Sequence, residues 1–599
     1  MFKQNLVIWL TLGFLVFFSR DSLLAHSLAV NSKVKLNKRA VANSQTKYPV
    51  TARTALLSQV PIRPPLPPQP PQPPRPVPQP SPEIPLQVPT PTPPSPEELP
   101  ELPATITVIR FEFDGNTAFN DEQLTEVTKV FTNRPISFAE LLQAEAAVTK
   151  LYTNAGYLNS GAVIPAGQTF AKEGAIVKIQ IIEGGVEEIF ITGTDRLNSD
   201  YIRSRLAIAT QTPLNQNRLL EALQLLQLDP LIENISAELS AGSRRELSVL
   251  ALKVKEADSF TLEIIADNGR VPSVGSFQRG LRVEEGNLLG SGDKVFAEYR
   301  NTDGSNTLNL RYSLPLNPRN GTFNIAGGLT FSEVIEPPFD PLDITGDSYY
   351  FDLNYRQPIV QTPRQELALG IIASRQTSKN TLLGRAFPLS IGADNKGETR
   401  ISALRLPIEW NQRSSKDVLA LRSQFNLGLG AFNATVNEEF PDSRFFSWRG
   451  QGQYVRLLAR DNLLVIRSDL QLATSPLLAL EQFRIGGLQS VRGYRQDLLL
   501  TDNGLFTSAE VRLPIIRVEE VEGVLQLIPF IDYGKGWNSS RRDNPSPQNL
   551  LSAGLGVQWQ MRDRLNARFD WGIPLTKVIS RDRTLQEQGF YFSINYSLF

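Results

Sequence analysis

From Ser259 to Phe599 the chain alternates apolar and polar residues with a period of two, in segments of about ten residues, and this period narrows the available folds more than any other feature. Leu464, Ile466, Leu470 and Leu472 alternate with Val465, Arg467, Asp469 and Gln471. Ala553, Leu555, Val557, Trp559 and Met561 alternate with Ser552, Gly554, Gly556, Gln558 and Gln560, and Leu565, Ala567, Phe569, Trp571 and Ile573 with Asn566, Arg568, Asp570 and Gly572. One face is hydrocarbon and the other carries charge, as a lipid-facing barrel strand with a polar lumen requires. A soluble sandwich also alternates, but it buries its apolar face against a second sheet. Sixteen such segments are centred near residues 263, 281, 297, 310, 326, 351, 369, 405, 423, 452, 468, 509, 528, 556, 569 and 594. An even number returns the last strand to the starting side, closure removes both sheet edges, and sixteen strands leave an aqueous interior. The expected fold over 258–599 is a transmembrane β-barrel of 16 antiparallel strands. The connection Leu480 to Asp502 is much longer than Asn301 to Ser305 or Arg562 to Arg564.

Composition closes other routes. The chain has no cysteine and one histidine, His26, which excludes disulfides, thiol chemistry, Cys/His metal sites and histidine acid–base catalysis from the mature protein. Its 61 basic and 61 acidic residues cancel, so nothing points to nucleic acid. There is no Gly-x-Ser-x-Gly elbow and no nucleotide-binding signature. No catalytic residue, metal or cofactor is expected, and the chain is not read as an enzyme.

The N-terminus reads as a signal peptide, residues 1–27: Lys3 supplies charge, Leu6 to Phe18 the apolar core, and Ala25-His26-Ser27 a small-x-small cleavage site. No segment reaches 18 uninterrupted apolar residues, so no transmembrane helix is expected. Residues 28–104 read as a disordered, Pro-rich linker, since 21 of the 43 residues from Pro61 to Pro103 are proline and prefer an extended, semi-rigid spacer.

A globular pattern then occurs twice. Residues 105–183 read as a strand ending in Asp114-Gly115-Asn116, two helices near Asp121 to Phe131 and Phe138 to Tyr152, and strands near Gly161 and Ala175 to Ile182. Residues 184–257 repeat the order, with the turn Gly193-Thr194-Asp195, helices near Ser199 to Ala207 and Asn215 to Leu228, and strands Ile232 to Leu239 and Glu246 to Val254. This β-α-α-β-β order resembles POTRA modules, the periplasmic domains placed ahead of outer-membrane channels. Such a module offers a sheet edge to which extended polypeptide can add.

Within the long connection stands Val491-Arg492-Gly493-Tyr494, and some 40 residues on comes Phe530-Ile531-Asp532-Tyr533-Gly534, whose aspartate is the obvious partner for the arginine. Asp532 shares a strand face with Gln526, while Leu525, Leu527 and Ile531 point the other way. Gly493 permits a tight turn, and Tyr494 and Phe530 are placed to stack on the guanidinium. With Asn287-Leu288-Leu289-Gly290-Ser291-Gly292-Asp293 near the barrel start, these motifs closely resemble the outer-membrane insertase/transporter superfamily. Two preceding modules, not five, make the chain most similar to the transporters of two-partner secretion, which export filamentous haemagglutinins and haemolysins. The resemblance implies that the sixth outer loop folds back into the lumen, with Arg492 reaching Asp532 on the inner wall. It implies a bacterial outer-membrane location with the modules in the periplasm, and a secreted exoprotein, captured extended in the periplasm, as substrate. A last strand ending in Phe599 resembles the signal read by the barrel assembly machinery; outer-membrane lipid is the other partner. An insertase and a passive porin are the competing readings. A family plug helix finds no apolar stripe in residues 28–60.

Overall fold

The helix starts of the two N-terminal modules are written in their caps. Asn120 accepts a hydrogen bond from the Gln123 amide at 2.9 Å while the Gln123 side chain accepts one from the Asn120 amide at 3.1 Å, satisfying donors that a helix start leaves free. Ser137 and Glu140 make the same reciprocal pair one helix later. The computed structural model describes residues 105–169, 173–458, 462–539, 542–579 and 583–599. The expected signal peptide, 1–27, and linker, 28–104, lie outside the described residues.

The first module runs β1 (Ile106–Asp114), α1 (Asp121–Thr128), β2 (Pro135–Ile136), α2 (Phe138–Asn154), β3 (Gly161–Val163) and β4 (Glu173–Ile182), with sheet order β2-β1-β4-β3 and β1 parallel to β4. Val108, Leu124, Leu141, Val148, Tyr152 and Val177 fill the space between helices and sheet. The second runs β5 (Gly185–Thr192), α3 (Ser199–Ala209), α4 (Gln216–Gln227), β6 (Ile232–Ala241) and β7 (Leu247–Glu256), with order β5-β7-β6. The sequence pattern passed over β2, whose two residues are too few to show a period. The repeat extends to one contact. Glu183, after β4, accepts from the Thr117 and Ala118 amides, and Glu256, ending β7, accepts from the Asp195, Arg196 and Leu197 amides.

Sixteen antiparallel strands then close a barrel: β8 (Phe260–Asp267), β9 (Gln278–Glu285), β10 (Lys294–Thr302), β11 (Ser305–Pro315), β12 (Thr322–Glu333), β13 (Thr345–Gln361), β14 (Gln365–Leu382), β16 (Glu398–Arg413), β17 (Asp417–Leu429), β18 (Phe446–Leu457), β19 (Leu463–Ala473), β22 (Asn503–Val518), β23 (Gly523–Trp537), β24 (Asn549–Met561), β25 (Leu565–Pro574) and β26 (Phe590–Ser597). The two-residue β15 (Arg385–Ala386) pairs with the end of β14. Ser593 to Ser597 of β26 pair with Asp267 to Glu263 of β8, so no edge is left open. All sixteen expected centres fall in these strands. The alternation sorts as a bilayer demands: Phe569 and Trp571 are 48% and 46% exposed on the outside, and Asp570 between them is 1% exposed within.

Two expectations change. β13 and β14 run 17 and 18 residues, not about ten, because their hairpin continues past the length an apolar band accounts for. The short turn between Thr302 and Ser305 lies on the same side as the long connection 474–502, three strands from the module side, so loop length alone does not sort the two sides.

Candidate functional site

Between β19 and β22, the eleventh and twelfth wall strands, residues 474–502 form a loop that the wall does not absorb. It carries a small hairpin, β20 (Phe483–Ile485) and β21 (Leu499–Thr501), whose existence the sequence pattern does not signal in three-residue strands. Phe483, Ile485, Val491, Tyr494 and Leu499 pack with wall residues Phe506 and Leu550 in one apolar cluster. The loop therefore lies inside the barrel, held by its own hydrophobic face.

Arg492 is the centre of that contact. Its Nε and Nη2 donate to Asp532 Oδ2 and Oδ1 at 2.7 and 2.8 Å, and its own amide donates to Oδ2 at 3.1 Å. The paired donors match the two carboxylate oxygens as a fork matches a fork. Its guanidinium carbon sits 3.4 Å from the centre of the Phe530 ring, and both side chains are buried. Tyr494 does not stack on Arg492. Its hydroxyl donates to the Leu551 carbonyl at 2.6 Å and accepts from the Thr576 amide at 2.9 Å, tying the loop to β24 and to the loop after β25. A buried phenol needs a polar partner, and the wall's carbonyls supply it where the guanidinium has none to offer.

Two glycines explain why the loop can approach so closely. A Cβ on Gly534 would stand 2.4 Å from Ile485 Cγ2 and 2.8 Å from Val491 Cγ2. Gly493 has φ +95°, and a Cβ there would meet the Gly572 carbonyl oxygen at 3.0 Å.

Of the four polar side chains that Arg492 meets among the described residues, the sequence motifs missed three. Arg492 Nη1 also faces Glu510 Oε2 at 3.3 Å and Asp570 Oδ1 at 3.4 Å, and Nη2 reaches the Ser508 hydroxyl at 3.3 Å. Glu510 in turn holds Arg512 and Arg568, and Asp570 holds Arg568. The signal for these was present as the spacings Glu510-x-Arg512 and Arg568-x-Asp570, which put opposite charges on one face of a strand.

The barrel-start motif is elsewhere. Asn287 to Asp293 form the turn between β9 and β10, in which Asn287 Oδ1 accepts from the Gly292 amide and Asp293 Oδ1 from the Leu289 amide, while Leu288 donates its amide to the Asp293 carbonyl. This turn carries the second module. The Asn198 amide donates to the Gly290 carbonyl at 2.8 Å, Arg196 reaches the Asn287 carbonyl and Glu285, and the Tyr201 ring lies over Gly292. Phe599 is mostly exposed, its ring 6.2 Å from that of Phe260 beside the closing seam.

The family described as haemolysin secretion/activation protein ShlB/FhaC/HecB matches residues 246–559, more than half of the chain. The chain belongs to this family. The ShlB-type POTRA domain matches residues 106–184, so the first module is a POTRA domain. Among curated relatives, the heme/hemopexin transporter protein HuxB of Haemophilus influenzae is 23% identical over 73% of this chain and 78% of its own. The outer membrane transporter CdiB of Dickeya dadantii is 22% identical over 75% of this chain and 80% of its own. The solved structure of CdiB from Escherichia coli matches with a TM-score of 0.64 at 19% identity, covering 85% of this chain and 93% of that one, a likeness of fold. This member of the haemolysin secretion/activation family is accordingly an outer-membrane transporter of the two-partner secretion type, with its POTRA region on the periplasmic side. It acts with a secreted exoprotein, which it moves across the outer membrane, and its family is one of transporters rather than enzymes.

Proposed function

We propose that the two modules hold the exoprotein while it is extended in the periplasm and deliver it to the barrel mouth, where the loop carrying Val491 to Tyr494 gates its passage. The observation that carries this reading is the buried Arg492–Asp532 pair, which fastens an outer loop to the inner wall of a closed barrel. For the capture step, support comes from β5, which stands at the edge of the second sheet with Phe190 exposed on it. An extended chain adds to such an edge through main-chain hydrogen bonds that tolerate many sequences. With no nucleotide-binding signature in the sequence, directionality comes from folding of the exoprotein outside. The last wall strand, Phe590–Ser597, is the segment offered to the barrel assembly machinery, and the apolar outer face meets outer-membrane lipid.

Arg492→Ala and Asp532→Ala test the latch. Removing one member of a buried pair costs about 3–5 kcal/mol, enough to free the loop, so both variants should assemble as heat-modifiable barrels and release at least about tenfold less exoprotein to the medium. Normal export by both would sink the role of the pair.

A further inference from the structure

The wall around Arg492 holds one more cation than it needs. Three carboxylates, Asp532, Glu510 and Asp570, face four guanidiniums, those of Arg492, Arg512, Arg568 and Arg467. Three of the four are paired. Arg467 is not: among the described residues it makes no ion pair, its Nε is buried without a hydrogen-bond partner, and its nearest aromatic face is Phe506 at 5.9 Å. With the loop docked, the cluster carries a surplus positive charge. With Arg492 withdrawn, three carboxylates and three guanidiniums balance.

Register places the spare charge in the same row as one of the three carboxylates. Arg467 on β19 stands directly opposite Ser508 on β22, and Ser508 directly opposite Asp532 on β23, so all three share one lumen-facing row. The row spans two strand spacings, about 10 Å of backbone, which an arginine and an aspartate side chain can bridge between them. The Ser508 hydroxyl sits midway and already donates to Asp532 Oδ1 at 2.6 Å. Among the described residues, Asp532 is also the one carboxylate of the three whose only cation is Arg492, since Glu510 keeps Arg512 and Arg568 and Asp570 keeps Arg568. A buried carboxylate stripped of its partner is expensive, and the loop could leave only rarely if nothing replaced it.

We infer that Arg467 is the replacement: when the loop undocks, its guanidinium swings along the row to Asp532 and stabilises the released wall, which makes the Arg492 contact a switch with two charge-satisfied states. Arg467 acts through Asp532 and is a positioning residue for export. This rests on the proposal that the Arg492–Asp532 pair latches the loop.

The chain has no cysteine, so a single cysteine reports the loop without background. Val491→Cys buries a thiol at the docked loop, which a maleimide reaches only after release. In the full-length protein in detergent, Arg467→Gln should slow labelling of Val491→Cys by about tenfold, the size of an ordinary coupling between two sites, while Arg467→Lys, which keeps a cation in the row, should stay near the parent rate. In barrels lacking Arg492, adding Arg467→Gln to Arg492→Ala should lower the heat-modification temperature by more than the two single changes together. Labelling at the parent rate in Arg467→Gln, or strict additivity in the double variant, overturns the inference. If Arg467→Gln does not assemble, Arg467→Met in the Arg492→Ala barrel gives the same additivity readout. Failure of the latch itself is separate: it shows as normal export by both Arg492→Ala and Asp532→Ala, whatever the labelling rates.

Discussion

The loop and the second module are both fastened to one barrel, at opposite ends and by opposite chemistry. Loop 474–502 meets the inner wall through charges that are nearly inaccessible, with Arg492, Glu510, Asp532 and Asp570 all buried. The second module meets the barrel through backbone carbonyls of Asn287 and Gly290 and through side chains such as Arg196, which is more than half exposed. Buried charges are satisfied or badly unsatisfied, so such a contact favours discrete states. Backbone hydrogen bonds and exposed ion pairs are individually weak and hold a geometry without switching it. One attachment has the physics of a gate and the other that of a mount.

The largest test separates the two halves outright. Deleting Thr105 to Glu256 removes the mount and the capture edge while leaving all sixteen wall strands. Secretion should vanish while pore conductance in planar bilayers persists. Unchanged secretion would take the modules out of the mechanism.

Next come single atoms at each attachment. Gly534→Val places a side chain where Ile485 and Val491 of the docked loop now lie, with the first added carbon 2.4 Å from Ile485 Cγ2. Overpacking of this kind costs about 1–3 kcal/mol and should undock the loop, raising conductance and lowering export in an assembled barrel. Gly292→Ala makes a comparable collision with the Tyr201 ring, also at 2.4 Å, at a φ of +75° that alanine resists. Its effect should be gentler: a shift of the second module seen as a broadened spin-label distance between module and barrel, with conductance unaltered. If Gly292→Ala instead opened the pore and Gly534→Val left it closed, the assignment of gate and mount would be reversed.

The contrast also accounts for what the sequence revealed. The wall was legible because alternation over whole strands is enforced by lipid outside and water inside, and all sixteen strand centres followed from it. Arg492 and Asp532 were legible because each stands alone in a recognisable motif. Glu510 and Arg568 left only the faint spacings Glu510-x-Arg512 and Arg568-x-Asp570, and because charges on lumen faces are common in such a barrel, it takes the ion pair from β22 to β25 to single them out. Asn287 to Asp293 was visible as a motif and opaque as to role, because its partners Arg196, Asn198 and Tyr201 lie about 90 residues earlier on a separate module. The hairpin of β20 and β21 left no trace because three residues cannot display a period.

The smallest effect lies in the module, away from both attachments, and shows what a partly buried charge contributes by comparison with the fully buried Asp532. Glu183 joins the end of β4 to the turn after β1, accepting from the Thr117 and Ala118 amides at 2.7 and 2.8 Å and from the Tyr152 hydroxyl at 2.9 Å. Desolvation works to raise its pKa, but the Thr117 hydroxyl and these amides outweigh it and hold the carboxyl below the usual range. A depressed native pKa means that the unfolded chain binds the proton more readily. The resulting stabilisation is therefore present above the unfolded-state value and fades as pH falls through the native one. Because the group stays partly open to solvent, its worth is below about 1 kcal/mol. Exchange protection of the Thr117 and Ala118 amides, corrected for intrinsic rates, should decline between neutral pH and the acid range in the parent protein. In Glu183→Gln it should start lower and stay flat, with the barrel amides unaffected in either case. A parent protein whose protection rose on acidification would contradict the sign of this linkage.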